Sequence, residues 1–561
     1  MEKVDEEQRV WWKESVIYQV YPRSFNDSNG DGIGDIPGLI EKLNHLKELG
    51  VDIIWLCPMY QSPNDDNGYD ISDYYNVMEE FGNMQDFDRL LADIKAKGMR
   101  LILDLVVNHS SDEHRWFVES RKSKNNPFRN YYIWRKGNNG NPPNDYVSFF
   151  SGSAWEYDPQ TDEYYLHYFT RKQPDLNWEN PTLREEVYKL MRFWLDKGID
   201  GFRMDVIPLI SKDTSFPDFP DNYDGHYPSV YANGPRVHEF LQEMNKEVLS
   251  RYDMMTVGEG IGVSIHEAND YVGKDRNELN MIFHFDHMSI DREKDDFFKY
   301  REWTLPEFKE IFTKWDEALG NQGWNSIYLG NHDFPRMVSR FGNDKAYRKQ
   351  SAKALATLLL TLRGTPYIYQ GDEIGMTNVA FSSINDYQDV QTVNAYREVE
   401  AAGGDTQAFL EAQHYFSRDN ARTPMQWNNT KNAGFTDGEP WLKVNPNYEE
   451  INVAKDKAAS DSIFQYYQQA IALRKEHLAL VYGQYEVIQP EHKQIYAYTR
   501  KLDRKTLLVL ISFSDGEATM NLPEDMNLDN PKLLLKNTPG NERELTREMK
   551  LSPYEALVYR L

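Results

Sequence analysis

The stretch RLILDLVVNH, residues 100–109, sets aliphatic side chains one after another and then stops in Asn108 and His109. An apolar run this short, without polar alternation, reads as a strand buried on both faces, as in a parallel sheet covered by helices. Seven further runs share its character: VIYQV (16–20), VDIIWL (51–56), GFRMDV (201–206), MMTVGE (254–259), LNMIFHF (279–285), NSIYLGN (325–331) and TPYIYQ (365–370). Between several of them lie GLIEKLNHLKELG (38–50), FDRLLADIKAKG (87–98), LREEVYKLMRFWLDKG (183–198) and VHEFLQEMNKEVL (237–249), each apolar at helical spacing. Eight strand–helix units predict an α/β fold, a (β/α)8 TIM barrel.

The grammar changes twice. Residues 108 to about 180 are rich in Asn, Gly, Pro and aromatics and poor in helix patterns, so an inserted subdomain is expected after the third strand. From residue 482 the chain runs through YGQYEVIQ, QIYAYTRK, TLLVLISF and PYEALVYRL, which predicts a closing antiparallel β domain. The expected division is a barrel over 1–107 and 181–481, subdomain B over 108–180, and a C-terminal β-sandwich over 482–561.

Barrels of this kind build their sites at the C-terminal strand ends. The third run ends in DLVVNH and the fourth in Arg203 and Asp205, two apart and so on one strand face. The fifth ends in Glu259 and the seventh in NHD, which gives His332 and Asp333. Any one of these could be a salt bridge or a cap; together they place three carboxylates, two histidines and an arginine on one rim. No GxSxG elbow, phosphate loop, HExxH or dinucleotide fingerprint is present. Carboxylates in an aromatic-rich cleft suit glycosidic bond cleavage, with one as nucleophile, one as general acid/base, and an arginine keeping the nucleophile ionised.

The loop DSNGDGIGD (27–35) offers Asp27, Asn29, Asp31, the Ile33 carbonyl and Asp35 in alternation, like the start of an EF-hand. The twelfth position is Gly38 instead of Glu, and a strand precedes the loop instead of a helix. A structural Ca2+ or Mg2+ is the expectation, set against a plain Gly/Asp turn with no ion. With 63 basic and 89 acidic side chains the formal charge is −26, which argues against nucleic acid and anionic membranes as partners. The single cysteine, Cys57, excludes an intrachain disulfide, and neither a signal segment nor an apolar run of about 20 residues is seen. A cytoplasmic monomer or weak homo-oligomer is expected, acting on a small oligosaccharide without a catalytic cofactor.

These residues resemble glycoside hydrolase family 13, the α-amylase family. DLVVNH, GFRMDV, the VGE around Glu259 and NHD (331–333) match its four strand-end regions. QPDLN (173–177), WWKESVIYQVYPRSF (11–25) and SRDNARTPMQW (417–427) resemble its oligo-1,6-glucosidase group. The resemblance implies Asp205 as nucleophile, Glu259 as general acid/base and Asp333 as stabiliser. It also implies a pocket for the terminal glucose made of Asp66, Tyr69, His109, Arg203, His332 and Arg422, walled by Phe150, Phe169 and Gln173. The DSNGDGIGD loop matches the family's metal loop. Val206, after the nucleophile, is the residue associated with α-1,6 acceptance, so the implied activity is a retaining, exo-acting α-glucosidase with α-1,6 preference. The alternative is a sucrose isomerase, which LGNHDFPR, QGDEIGMTN and IDRE (290–293) resemble in part. That group's aromatic clamp has a Phe where this chain has Ile261; its other half matches Phe285. Phe334 and Gly260 also depart from the glucosidase pattern. Trehalose-6-phosphate hydrolysis would need an added cation at the acceptor site. A non-catalytic relative is disfavoured by the intact carboxylates.

Overall fold

The structure is a computed structural model and describes residues 9–561 apart from 224, 294, 295 and 541. The segment MEKVDEEQ, part of the N-terminus read above for a signal, lies outside the described residues.

Eight short strands form the predicted parallel sheet: β1 (Ile17–Val20), β2 (Ile53–Leu56), β3 (Arg100–Leu105), β4 (Gly201–Met204), β5 (Met255–Glu259), β6 (Met281–Phe283), β7 (Ser326–Ile327) and β8 (Thr365–Tyr369). Their ladder order is β6-β5-β4-β3-β2-β1-β8-β7, and the Ser326 hydroxyl donates to the Ile282 carbonyl across the remaining seam at 2.8 Å. Alternate residues face opposite ways. Ile17, Ile53, Trp55, Ile102, Met255, Val257, Met281, Phe283 and Tyr367 fill one core inside the barrel, while Tyr18, Ile54, Leu56, Leu101 and Leu103 join the larger core under the helices. Both faces are buried, which is why these strands read as unbroken apolar runs. Gly201 opens β4 at φ 150°, and a Cβ there would lie 2.0 Å from the Met255 carbonyl oxygen, so the close approach to β5 demands glycine.

The helices fall on the predicted patterns at Ile36–Leu49, Met84–Ala96, Pro181–Lys197 and Val237–Glu247. Asp35 caps the first, its side chain accepting from the Gly38 amide at 2.6 Å, and Gly50 closes it at φ 98°. The strand runs NSIYLGN and LNMIFHF shorten to Ser326–Ile327 and Met281–Phe283 because their last residues leave the ladder to line the site. Two helices that the sequence reading did not single out, Val390–Ala401 and Thr406–Phe416, lie between β8 and SRDNARTPMQW.

Between β3 and β4 the chain forms a helix, Arg115–Lys122, and a three-stranded antiparallel sheet from Trp134–Arg135, Glu163–Leu166 and Trp155–Asp158. Its end returns to β3 by pairing of Asp175 with His109, and within the insert Tyr132 pairs with Leu176. At the C-terminus a five-stranded antiparallel sheet and a two-stranded ladder, Ala518–Asn521 with Glu548–Leu551, enclose a second core of Leu508, Leu510, Met520, Met549 and Leu557. Lys309 links this unit to the barrel, its buried ammonium donating to the carbonyls of Gln489, His492 and Ile495.

Candidate active site

Adjacent barrel strands bring Asp104 of β3 level with Arg203 of β4 and Gly258 of β5 level with Met204, so their polar ends converge. Arg203 is the hub. One guanidinium nitrogen donates to Asp104 and to Asp205, each at 2.6 Å, and the other forms an ion pair with Glu259 at 2.7 Å. Asp104 is held from the other side by the Trp55 indole (2.8 Å) and the Tyr69 hydroxyl (3.3 Å).

Val206 leaves the β region at φ 36°, ψ 37°, a costly conformation for a β-branched residue, worth about 1–3 kcal/mol. The kink turns its amide toward Glu259, whose carboxylate accepts from it at 3.0 Å. The Val206 amide therefore helps to orient the acid/base candidate.

On the other flank Asp333 accepts from Arg422 at 2.8 Å and from Arg418 at 3.2 Å. His332 receives the Gln19 amide on Nδ1 at 2.8 Å, stacks on Tyr69 with ring centres 5.1 Å apart, and puts Nε2 3.1 Å from Asp333. Arg418 also bonds Asp389 at 2.6 Å, approaches Asp66 at 3.4 Å, and lies over the Phe150 ring. Gln173 donates to Asp66 at 3.2 Å, and Phe169 packs on His109. His109 is oriented by the Asn108 amide and the Tyr69 carbonyl. All thirteen predicted catalytic and sugar-binding residues are thus joined by contacts into one network, and two of them, Arg203 and Glu259, line the cavity described below.

Electrostatics sets their protonation. Six carboxylates (Asp66, Asp104, Asp205, Glu259, Asp333, Asp389) face three arginines, so the cluster cannot cheaply ionise every acid. Burial pushes Asp66 and Asp104 up to about 6, with Arg418 opposing at the first and Arg203 at the second. Burial also raises Asp205 well above the ordinary range; Arg203 opposes this, and Glu259 and Asp104 reinforce it. Asp333 differs: against its burial, His332, Arg418 and Arg422 hold it well below the usual carboxylate range. Burial keeps His109 and His332 neutral, at about 4 and about 3. Burial and charge therefore act in opposite directions on Asp205, raised, and on Asp333, lowered.

A small cavity of about 10 Å3 adjoins Glu259 and Arg203, walled by Trp55, Phe283, Phe285, Tyr328 and Asn331. Phe285 is 6.0 Å from Phe334, whereas Ile261 packs with the aromatic cluster of Phe150, Phe169 and Val206.

Four contributors escaped the sequence reading: Arg418, Asp389, Asp104 and Lys212. Lys212 is buried and donates to Asn108 and to the Leu209 carbonyl, each at 2.7 Å, and to Asp175 at 2.8 Å, which locks the QPDLN segment behind His109. Arg418 had a signal, lying four residues before Arg422 and so one helical turn away.

In the DSNGDGIGD loop Asp27 accepts from the amides of Asn29, Gly30 and Gly32, Asn29 from Asp31, and Asp31 from Ile33. Asp35 caps its helix and takes the Ser28 hydroxyl. Among the described residues no three His, Cys, Asp or Glu side chains are gathered as metal ligands. The donors are hard oxygens, the class that Ca2+ and Mg2+ take.

Residues 19–483 match the alpha amylase catalytic domain and residues 485–558 the maltogenic amylase C-terminal domain. The chain belongs to the α-amylase family. It is similar to the oligo-1,6-glucosidase of Parageobacillus thermoglucosidasius, at 56% identity over 99% of both chains. It superposes on a trehalulose synthase variant bound to Tris with a TM-score of 0.96 at 48% identity, covering 99% of this chain and 100% of that one. An isomaltulose synthase variant from Erwinia rhapontici, solved with its natural substrate sucrose, gives 0.96 at 47% identity, covering 98% and 99%. The predicted family and the barrel with its C-terminal β domain are therefore established.

Proposed function

We propose that this glycoside hydrolase releases glucose from the non-reducing end of short α-glucosides, with preference for α-1,6 bonds and with retention of configuration. The observation that carries the reading is the Arg203 hub, which holds Asp205 and Glu259 on one guanidinium. That arrangement suits the carboxyl separation of about 5–5.5 Å used by retaining enzymes. Asp205 attacks the anomeric carbon while protonated Glu259 gives its proton to the leaving oxygen. Water deprotonated by Glu259 then frees the sugar. Asp333, with its charge secured by two arginines, holds the sugar hydroxyls as the ring flattens.

Exo action follows from closure of the pocket. Arg418 ties Asp389 to Asp66, and Asn394 donates to the Phe150 carbonyl at 3.1 Å, so the glucosyl end meets a wall. Support for hydrolysis over isomerisation is Ile261, which packs with another cluster while Phe285 meets Phe334 instead, so a released acceptor is poorly retained. The similarity to an oligo-1,6-glucosidase and the placement of Val206 beside Glu259 support the α-1,6 preference.

We further propose that Asp27, Asn29, Asp31, the Ile33 carbonyl and Asp35 hold a structural Ca2+ or Mg2+ that takes no part in the reaction. We assign the protein to the cytoplasm as a monomer or weak homo-oligomer. Among the described residues no helix is long and apolar enough to cross a membrane.

The test is product chromatography after incubation with isomaltose, isomaltulose, maltose and sucrose. Glucose released fastest from the α-1,6 substrates is expected. Isomaltulose or trehalulose formed from sucrose would assign the chain to the isomerases instead.

A further inference from the structure

Gln19 is a buried amide on β1, two residues after Ile17 and therefore on the same, inward face of the strand. Ile17 packs among the apolar side chains of the barrel interior, whereas Gln19 lines the small cavity beside Glu259 and Arg203. Its amide nitrogen lies 2.8 Å from His332 Nδ1 and 3.2 Å from Cys57 Sγ. Two acceptors for two N–H groups leave no amide proton unused.

The His332 ring is fixed in place. It stacks against Tyr69 and Tyr21, with ring centres 5.1 and 5.8 Å away, and Arg422 donates to its backbone carbonyl at 2.9 Å. Nε2 is buried 3.1 Å from Asp333 and makes no aligned hydrogen bond among the described residues. Burial keeps the ring neutral, at about 3. Burial also raises Asp333, but His332, Arg418 and Arg422 outweigh it and leave the carboxylate ionised. A bare Nε2 would oppose that carboxylate lone pair to lone pair, so the single ring proton belongs on Nε2 and Nδ1 is an acceptor. A buried acceptor needs a donor, and the Gln19 amide is the donor that faces it.

We infer that Gln19 is a positioning residue for the reaction: it holds His332 as the Nε2–H tautomer, which offers that proton to a hydroxyl of the bound glucosyl unit alongside Asp333. The substrate half of this rests on the assignment of the pocket to the terminal glucose; the tautomer does not. Solid-state 15N spectra of the protein labelled at its histidine rings read the tautomer directly. The resonances that vanish in His332→Ala should show a bare Nδ1 and a protonated Nε2. Gln19→Met, which keeps the volume and removes the donor, should shift the Nδ1 resonance. With p-nitrophenyl α-D-glucoside, Gln19→Met should lower kcat/KM by about 10- to 100-fold, as for other groups that orient a working histidine. In the His332→Ala background the same substitution should cost less than about twofold, because its effect runs through the ring. A proton on Nδ1 of the native ring, an Nδ1 resonance unmoved in Gln19→Met, or an equal loss of kcat/KM in both backgrounds would overturn the inference. Turnover of no α-glucoside by the native enzyme would sink the glucosidase reading instead, and the native spectrum would still decide the tautomer.

Discussion

The two halves of the pocket are built on different principles. The glucosyl side is a charge lattice: Arg203, Arg418 and Arg422 each contact at least one carboxylate, and removing a member leaves a buried charge unmatched. The acceptor side is apolar and loosely specified, with Phe285 and Phe334 from one packing cluster and Ile261 from another. The first can recognise one sugar in one orientation, because unpaired buried polar groups penalise every analogue. The second can discriminate only by shape, worth about 1–3 kcal/mol per group. Chemistry and sugar identity should therefore be robust in this fold, while linkage and the fate of the leaving sugar are easily changed.

Perturbing each side in turn sharpens the contrast. The largest effect belongs to Asp205→Ala, for which kcat should fall by about 10^4-fold or more with unchanged circular dichroism. A variant that retains substantial rate would remove Asp205 as nucleophile. Arg418→Ala opens the lattice without touching the reacting carboxyls. It should cost about 10²-fold in kcat/KM toward isomaltose, by misplacing Asp333 and Asp66. An effect under about twofold would mean that Arg422 alone positions the stabiliser.

Arg203→Lys tests the electrostatics. Asp205 must be ionised to attack, and Arg203 is the neighbour that lowers its pKa against burial. An ammonium cannot span the same three carboxylates, so the pKa rises and activity is lost at higher pH on the acid side. The acid limb of the kcat/KM profile should move up by about one unit; a downward move contradicts the account. The smallest change falls on the acceptor side. Val206→Thr should shift the ratio of isomaltose to maltose hydrolysis toward maltose by about tenfold, with the rate of glucosyl-enzyme formation little altered.

The same contrast governs how much of the molecule its sequence revealed. The eight strands were legible because both faces of each are buried, which writes an unbroken apolar run. The strand ends were legible because buried polar groups there have no packing purpose. β7 was overdrawn: Tyr328 and Leu329 look like strand residues, yet they leave the ladder and Tyr328 lines the cavity. Arg418 was missed because its partners Asp66 and Asp389 lie 352 and 29 residues away, a proximity that only the fold creates. Lys212 was missed for a related reason: a lysine after a strand reads as surface, and only the inserted segment buries it against Asp175. The left-handed Val206 has no sequence signal at all, since a β-branched residue is a poor choice for that conformation.

The central claim is that the shared guanidinium makes Asp205 the atom donor to carbon and Glu259 the donor of a proton. Mass spectrometry of the protein after reaction with 5-fluoro-α-D-glucosyl fluoride tests it most directly. The account predicts one fluoroglucosyl unit, mapped to the peptide that carries Asp205 and absent from Asp205→Ala. A label on Glu259 or Asp333, or rapid turnover with no covalent adduct under any condition, would contradict it.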